Sequence, residues 1–353
     1  MKLSLVMIVK NEEGTLRRCL DSAFKLVDEI VIVDTGSTDT TKQIASEFHA
    51  KIFEYEWTND FAAARNFALE QATSEWSLVL DADEYISNEC ADEIYSFITH
   101  SPAVGQIKRI DKFMSKDGVS FEQSYISRLF PSSCRYSGKI HEQIVSDLPR
   151  VRVDVEIQHD GYFEKKKSDR NIPILLQVIE ENPQDPYYYY QIAKEYRGID
   201  EHDKTYASLK QAYSKITHKE GYAPSLIVNF LYAIIASGHL DEGLAIVEAE
   251  QDFLSESADF YFVSALFLLE LILSDPDQYS DLIPYIERFY LRALEIGETG
   301  QEGSVIGTGS FAAHHNLGVY YEVIGDTGKA KQQYLYAKGF DYAPSIERLK
   351  LFD

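Results

Sequence analysis

The sequence predicts an α/β fold with a mostly parallel sheet, continued by an all-α solenoid. Up to about residue 80, short apolar runs alternate with helical patterns. Those runs are apolar almost without interruption, as strands must be when helices cover both faces of a parallel sheet. Beyond about residue 170 the strand pattern stops, and helices with Tyr and Ala at regular spacing take over. The chain has 353 residues, and at about 150 residues per domain the change of character reads as a boundary between 1–168 and 169–353.

Taken in order, Leu3–Val9 reads as a strand, and Leu16, Cys19, Leu20 and Ala23 follow at helical spacing. Glu29–Val33 is a compact apolar strand ending at Asp34. Gly36-Ser37-Thr38-Asp39 then punctuates before a helix through Ile44, Ala45 and Phe48. Ile52–Tyr55 is a third strand, Asp60–Ala72 a helix and Trp76–Leu80 a fourth strand. Residues 103–160 are mixed and strand-rich, with turn signals at Lys116-Asp117-Gly118, Pro131-Ser132-Ser133 and Ser137-Gly138. Lys165-Lys166-Lys167-Ser168-Asp169-Arg170 reads as a solvated junction or the start of the next helix. In the helical half, His314, Leu317-Gly318, Tyr321, Gly325, Ala330, Tyr334 and Ala337 have the spacing of a tetratricopeptide repeat, with His314 where Trp is usual. Weaker copies run through Ile192-Ala193, Tyr196, Leu209 and Ala212, and through Leu231, Ile234, Gly238, Gly243 and Val247. Tyr187–Tyr190 reads either as core and capping residues or as part of a concave binding surface.

Composition narrows the function. Lys plus Arg is 34 and Asp plus Glu is 57, a formal charge of −23. A field of that sign opposes nonspecific contact with nucleic acid, so no nucleic-acid partner is expected. Cys19, Cys90 and Cys134 are far apart and odd in number, which fits a reducing cytosol better than a disulfide scaffold or a zinc site. The opening apolar stretch is too short for a signal peptide. The longest greasy run, Phe260–Leu273, is broken by Ser264 and Glu270 and too short to span a bilayer. A cytoplasmic protein without a transmembrane segment is expected.

The polar clusters Lys10-Asn11-Glu12, Asp34-Thr35-Gly36-Ser37 and Asp81-Ala82-Asp83-Glu84 all fall at the carboxyl ends of predicted strands. Ligands of open α/β sheets bind at those ends, so the clusters should converge. Asp81-Ala82-Asp83 places two carboxylates around one small residue, suited to Mg²⁺ or Mn²⁺ completed by phosphate oxygens. Asp34 could accept from a nucleobase imide or a ribose hydroxyl; Ser37, Thr38 and Asp39 are better placed to cap the following helix. Asp60 can cap its own helix, and Arg65, one turn later, could meet a diphosphate or pair with Asp60.

Met7-Ile8-Val9-Lys10-Asn11-Glu12-Glu13, Asp34–Asp39, Asp60-Phe61-Ala62-Ala63-Ala64-Arg65-Asn66 and Leu80–Glu84 resemble the successive motifs of glycosyltransferase family 2, whose fold is GT-A. Arg128-Leu129-Phe130, Gly138-Lys139-Ile140-His141-Glu142 and His159-Asp160-Gly161-Tyr162 resemble its branch with C-terminal tetratricopeptide repeats, which includes the sublancin-type peptide S-glycosyltransferases. The resemblance is dense over the first 170 residues and architectural beyond them. It implies inverting transfer from a nucleotide-activated sugar, usually a UDP-sugar, with Mn²⁺ or Mg²⁺. It puts Val9, Asn11, Asp34, Arg65, Asp81 and Ala82 around the donor, and Asp83, Asp81 and His159 at the metal. Inversion needs one general base. The downstream acidic pair that supplies it in many members is missing, and His141-Glu142 occupies the region, so the base is expected to be Glu142 or His141.

On this reading the helical half selects a peptide or protein acceptor or mediates homodimerisation, and a cell-surface polysaccharide precursor is the rival acceptor. A nucleotidyltransferase is disfavoured, because no glycine follows the first strand until Gly14. A vestigial scaffold is disfavoured because Asp34, Arg65, Asp81, Asp83, His141 and Glu142 are all present.

Overall fold

The computed structural model describes residues 2–100, 102–115, 118–159, 168–299 and 303–352. The turn at 116–117, the first half (165–167) of the expected junction at 165–170 and the Asp160-Gly161-Tyr162 end of its motif lie outside the described residues. The chain divides into two compact units: Met1–Met114 with Gln123–Val178, and Ser115–Glu122 with Ile179–Asp353.

In the first unit, β1 (Leu3–Val9), β2 (Glu29–Asp34), β3 (Lys51–Glu54) and β4 (Trp76–Val79) pair in parallel, in the order β3-β2-β1-β4. Helices α1 (Leu16–Ala23), α2 (Thr41–Glu47) and α3 (Phe61–Gln71) connect them, as the hydrophobic pattern predicts. Side chains alternate along a strand, and both faces of β1 are buried. Leu3, Leu5, Met7 and Val9 pack with Leu16, Cys19, Leu20 and Ala23 of α1, while Val6 packs with Ala62, Ala68 and Leu69 of α3. The run reads as continuously apolar because neither face meets water.

Beyond β4 come β5 (Glu84–Ile86), helix α4 (Ala91–His100), β6 (Val104–Ser115), β7 (Gly118–Pro131), β8 (Arg135–Ser137), β9 (Gln143–Val145) and β10 (Arg150–His159). They extend the sheet as β4-β7-β6-β10-β5, with β7 antiparallel to β4, β10 parallel to β6 and β5 antiparallel to β10; β8 and β9 form a separate ribbon. The sheet is therefore parallel in its first half and mixed in its second. Helix α4 is an addition to the elements read from sequence; its Ile94 and Ile98 join the core on the α1 face.

Helix α5 (Ser168–Glu181) leads to the second unit, which holds α6 (Pro186–Arg197), α7 (His202–Tyr213), α8 (Ala223–Ser237), α9 (Gly243–Glu250), α10 (Ala258–Ser274), α11 (Pro276–Tyr279), α12 (Ile283–Ile296), α13 (Phe311–Val323), α14 (Thr327–Lys338) and α15 (Ala343–Leu349). Each expected repeat falls on a helix pair: α6 with α7, α8 with α9, and α13 with α14. A Cβ on Gly318 would come within 2.6 Å of the Tyr334 ring, and one on Gly243 within 2.3 Å of Phe267. Small residues thus sit where an aromatic ring of another helix fills the space. Tyr190 is core, stacked on Tyr222, whereas Tyr187, Tyr188 and Tyr189 are half-buried. Among the described residues no helix is long and apolar enough to cross a membrane.

Candidate active site

The loops after β1 and β2 are built as one body. Asn11 holds the left-handed φ of 55°, a conformation Asn tolerates better than most residues. Its Oδ1 accepts from Thr38 N at 2.8 Å, and its own N donates to Ser37 Oγ at 2.9 Å. Glu13 Oε2 accepts from Thr40 N and Oγ1, and Glu12 N donates to Thr41 Oγ1. The Val9 carbonyl is taken by Thr35, through both its N and its Oγ1. Asp34, only 2% exposed, sits inside this frame. Its Oδ1 accepts from Gly36 N at 3.0 Å and Ser37 N at 2.9 Å, while Oδ2 is buried without a hydrogen-bond partner among the described residues. A buried carboxylate oxygen left unpaired is costly, of the order of 1–3 kcal/mol or more, so it marks a place where a donor from a ligand would be stabilised.

A second cluster forms around Asp81. Asp60 caps α3 by accepting from Ala63 N at 2.9 Å, which fixes where Arg65 leaves the helix. Asn66 exchanges two hydrogen bonds with the Tyr136 backbone, at 2.8 and 2.9 Å, and Phe61 N donates to the Lys139 carbonyl. These contacts bring the 136–142 segment onto α3. Arg65 then pairs through Nε with Glu142 and through Nη2 with Asp81 Oδ1 at 2.7 Å, not with Asp60. Arg128 Nη2 reaches Asp81 Oδ2 at 2.7 Å and Glu84 Oε1 at 2.8 Å. Both carboxylate oxygens of Asp81 are therefore held by arginines. Burial would push the Asp81 carboxyl up, but Arg128 and Arg65 hold it well below the usual carboxylate range. Burial pushes the Tyr136 phenol up to about 12 against the attraction of Arg65 and Arg128, with Glu142 and Asp81 adding to the rise; its hydroxyl has no hydrogen-bond partner among the described residues.

The third cluster contains Asp83, 5% exposed, and His159, 6% exposed. His159 Nε2 lies 3.6 Å from Asp83 Oδ2, and Nδ1 lies 2.5 Å from Asp111 Oδ1. Burial would lower the imidazole, but the hydrogen bond to Asp111 and the nearby Asp83 carboxylate raise it to about 9. Two ligands at about 2.1 Å from one ion lie at most about 4.2 Å apart, so Asp83 and His159 are spaced to share a divalent cation. No group of three or more His, Cys, Asp or Glu side chains forms a complete metal cage among the described residues. A cation held by this pair would need ligands from the substrate, as Mg²⁺ and Mn²⁺ commonly have.

Residues 4–149 match Glycosyl transferase family 2. This segment is similar to family 2 glycosyltransferase domains. The chain is 26% identical over 290 residues to the SPbeta prophage-derived glycosyltransferase SunS of Bacillus subtilis, covering 75% of this chain and 66% of that protein. It is 32% identical over 204 residues to a TPR repeat-containing protein of Synechococcus elongatus, covering 53% and 50%. The chain thus spans just under two thirds of the first relative and half of the second. Among solved structures, Staphylococcus aureus TarS 1–349 is 16% identical over 66% of this chain and 81% of that one, with a TM-score of 0.32.

The expected site residues fall into the three clusters. Asn11 and Val9 build the Asp34 frame; Arg65, Asp81 and Glu142 form one ionic network, and Asp83 faces His159. Ala82 is buried between the two aspartates. His141, at the left-handed φ of 52°, precedes Glu142 in the chain. The sequence reading did not single out Arg128, Glu84, Tyr136 and Asp111 as functional. Arg128 and Glu84 stood inside quoted motifs, but nothing in their spacing announced that they would pair. Asp111 carried no local signal at all.

Proposed function

We propose that this chain is an inverting glycosyltransferase moving a sugar from a UDP-sugar to a peptide or protein side chain. The observation that carries the reading is Asp34: a buried carboxylate whose Oδ2 has no partner among the described residues, fixed at the carboxyl end of β2, one strand from the β1–β4 boundary where the strand order reverses. A uracil imide N–H or a ribose hydroxyl is a donor of the right kind. The family 2 match and the likeness to SunS, described as a glycosyltransferase, support the reaction class. Asp83 and His159 would hold the divalent cation, Mn²⁺ or Mg²⁺. When bound, it would neutralise charge developing on the departing diphosphate. Arg65 and Arg128, locked by Asp81, Glu84 and Glu142, would keep the floor of the site rigid without reorganisation. The base that takes the acceptor proton is His141 or Glu142. The pairing of Glu142 with Arg65 favours His141 for proton transfer and Glu142 for holding Arg65.

A panel of nucleotide-sugars, each with and without Mn²⁺, tests this by thermal stabilisation and release of free nucleotide. Stabilisation by a UDP-sugar that depends on Mn²⁺, with slow release of UDP, is the expected result; no response to any donor would remove the transferase reading. With the donor known, His141→Ala should lower turnover far more than donor affinity, and Glu142→Gln should weaken both. The reverse pattern would make Glu142 the base.

A further inference from the structure

Three strands set His159 in a row of acidic groups. In the register of β10, His159 pairs directly with Asp111 on β6 and with Glu84 on β5. Direct neighbours across a sheet project to the same face, so the backbone itself delivers Asp111 to the imidazole. Asp111 Oδ1 meets His159 Nδ1, and its other oxygen accepts from Arg109 Nε at 3.0 Å. Arg109 Nη1 also lies 3.7 Å from Glu84 Oε1, on the edge of the Asp81 network.

We propose that Asp111 is a positioning residue: it accepts a hydrogen bond from Nδ1–H of His159 and so turns Nε2 toward Asp83, so that His159 and Asp83 bind one divalent cation. This rests on the metal dependence stated under Proposed function. The 3.6 Å separation of Nε2 and Asp83 Oδ2 is longer than an ordinary hydrogen bond and short enough to share an ion. A ligating imidazole characteristically donates its other N–H to a carboxylate, which fixes the tautomer and the ring. One nitrogen and one oxygen donor suit Mn²⁺ better than Mg²⁺, which prefers oxygen alone. The rival arrangement is a proton on Nε2, making Asp83, His159 and Asp111 an ion triad that excludes metal.

Mn²⁺ alone, and then Mn²⁺ with UDP, is titrated into the full chain and read by electron paramagnetic resonance, with pulsed detection of ¹⁴N coupling. The wild type should bind Mn²⁺ with a directly coordinated nitrogen, and His159→Gln should lose that nitrogen signal. Asp111→Asn should weaken Mn²⁺ by about 10–100-fold, with Asp111→Glu recovering part of the loss. Should Asp111→Asn fail to fold, Arg109→Gln, which frees the far oxygen of Asp111 and removes the longer contact to Glu84, should shift Mn²⁺ affinity several-fold in the same direction. Wild-type affinity and nitrogen signal in Asp111→Asn, or in Arg109→Gln if that variant stands in, would overturn the role of Asp111 while leaving the metal site standing. A wild type with no nitrogen-coupled Mn²⁺, with or without UDP, would overturn the proposal by way of the metal reading. Nucleotide release in the presence of EDTA would then still uphold the transferase reading.

Discussion

At the scale of single residues, the two oxygens of Asp34 do different work. Oδ1 ties Gly36 and Ser37 into the turn, whereas Oδ2 has no partner among the described residues. Asn at this position keeps an acceptor for the turn and loses the charge offered to the ligand. Asp34→Asn should therefore leave the melting temperature nearly unchanged and weaken UDP about tenfold or more, the ~1.4 kcal/mol or more of one charge-assisted hydrogen bond. Titration calorimetry with UDP checks this, and unchanged affinity would take Asp34 out of the nucleotide pocket. Asp259 in the helical unit presents the opposite case. It is buried, accepts from Val305 N at 3.0 Å and Thr308 Oγ1 at 2.8 Å, and burial pushes its carboxyl up to about 7 against those two hydrogen bonds, with Glu298 and Glu122 adding to the rise. A folded-state value above the unfolded one means that stability falls as pH rises from about 4 through about 7, then levels. Asp259→Asn keeps the acceptor and removes the titration. Its stability relative to wild type should grow by about 2 kcal/mol between pH 5 and pH 8, measured by urea unfolding; a constant difference would show that Asp259 ionises normally.

At the scale of elements, helix pairing in the repeats depends on glycine. Gly318 of α13 faces the ring of fully buried Tyr334 on α14, and a Cβ there would approach it to 2.6 Å. Gly318→Ala should cost about 1–3 kcal/mol through overpacking, even though Ala favours an isolated helix. Gly318→Ala combined with Tyr334→Phe should not recover the loss, because the clash is with ring carbons; recovery would place the strain at the hydroxyl. The same complementarity explains why this pair was legible: small and aromatic residues alternate at a fixed spacing. Strands β1–β4 were legible because Asp34, Gly36 and Asp81 punctuate apolar runs, and the strand-end rule then gathered Asp34, Asp81 and Asp83. Helix α10 showed no repeat because it is apolar on nearly every side, so its pattern has no face to read. Arg128 and Asp111 stayed invisible because their roles depend on the register of the mixed strands β5, β6, β7 and β10. Asp111 and His159 meet across 48 residues of chain, and the β10–β6 ladder shifts register between Arg152 and Glu156. No local spacing encodes such a meeting.

At the scale of the whole molecule, the apolar cores belong to separate units. One core lies around Leu226, Phe260, Phe267 and Tyr334 in the helical unit; the others line the two faces of the sheet. Each unit has an apolar core of its own, and a chain of two such units need not unfold in one step. Asp34 and the proposed cation pair both lie in the first unit, within Met1–Met114 and Gln123–Val178. A ligand that binds only the folded form stabilises the unit it binds by RT ln(1 + [L]/Kd), about 2.7 kcal/mol at a hundredfold excess over Kd. Scanning calorimetry of the full chain should therefore resolve two transitions, with UDP and Mn²⁺ raising one and leaving the other in place. The transition that moves should also be the one lowered by His159→Gln, and the one that stays should be the one lowered by Gly318→Ala. If both transitions moved together with UDP, the units would be energetically coupled, and nucleotide binding would act on the repeats as well as on the sheet.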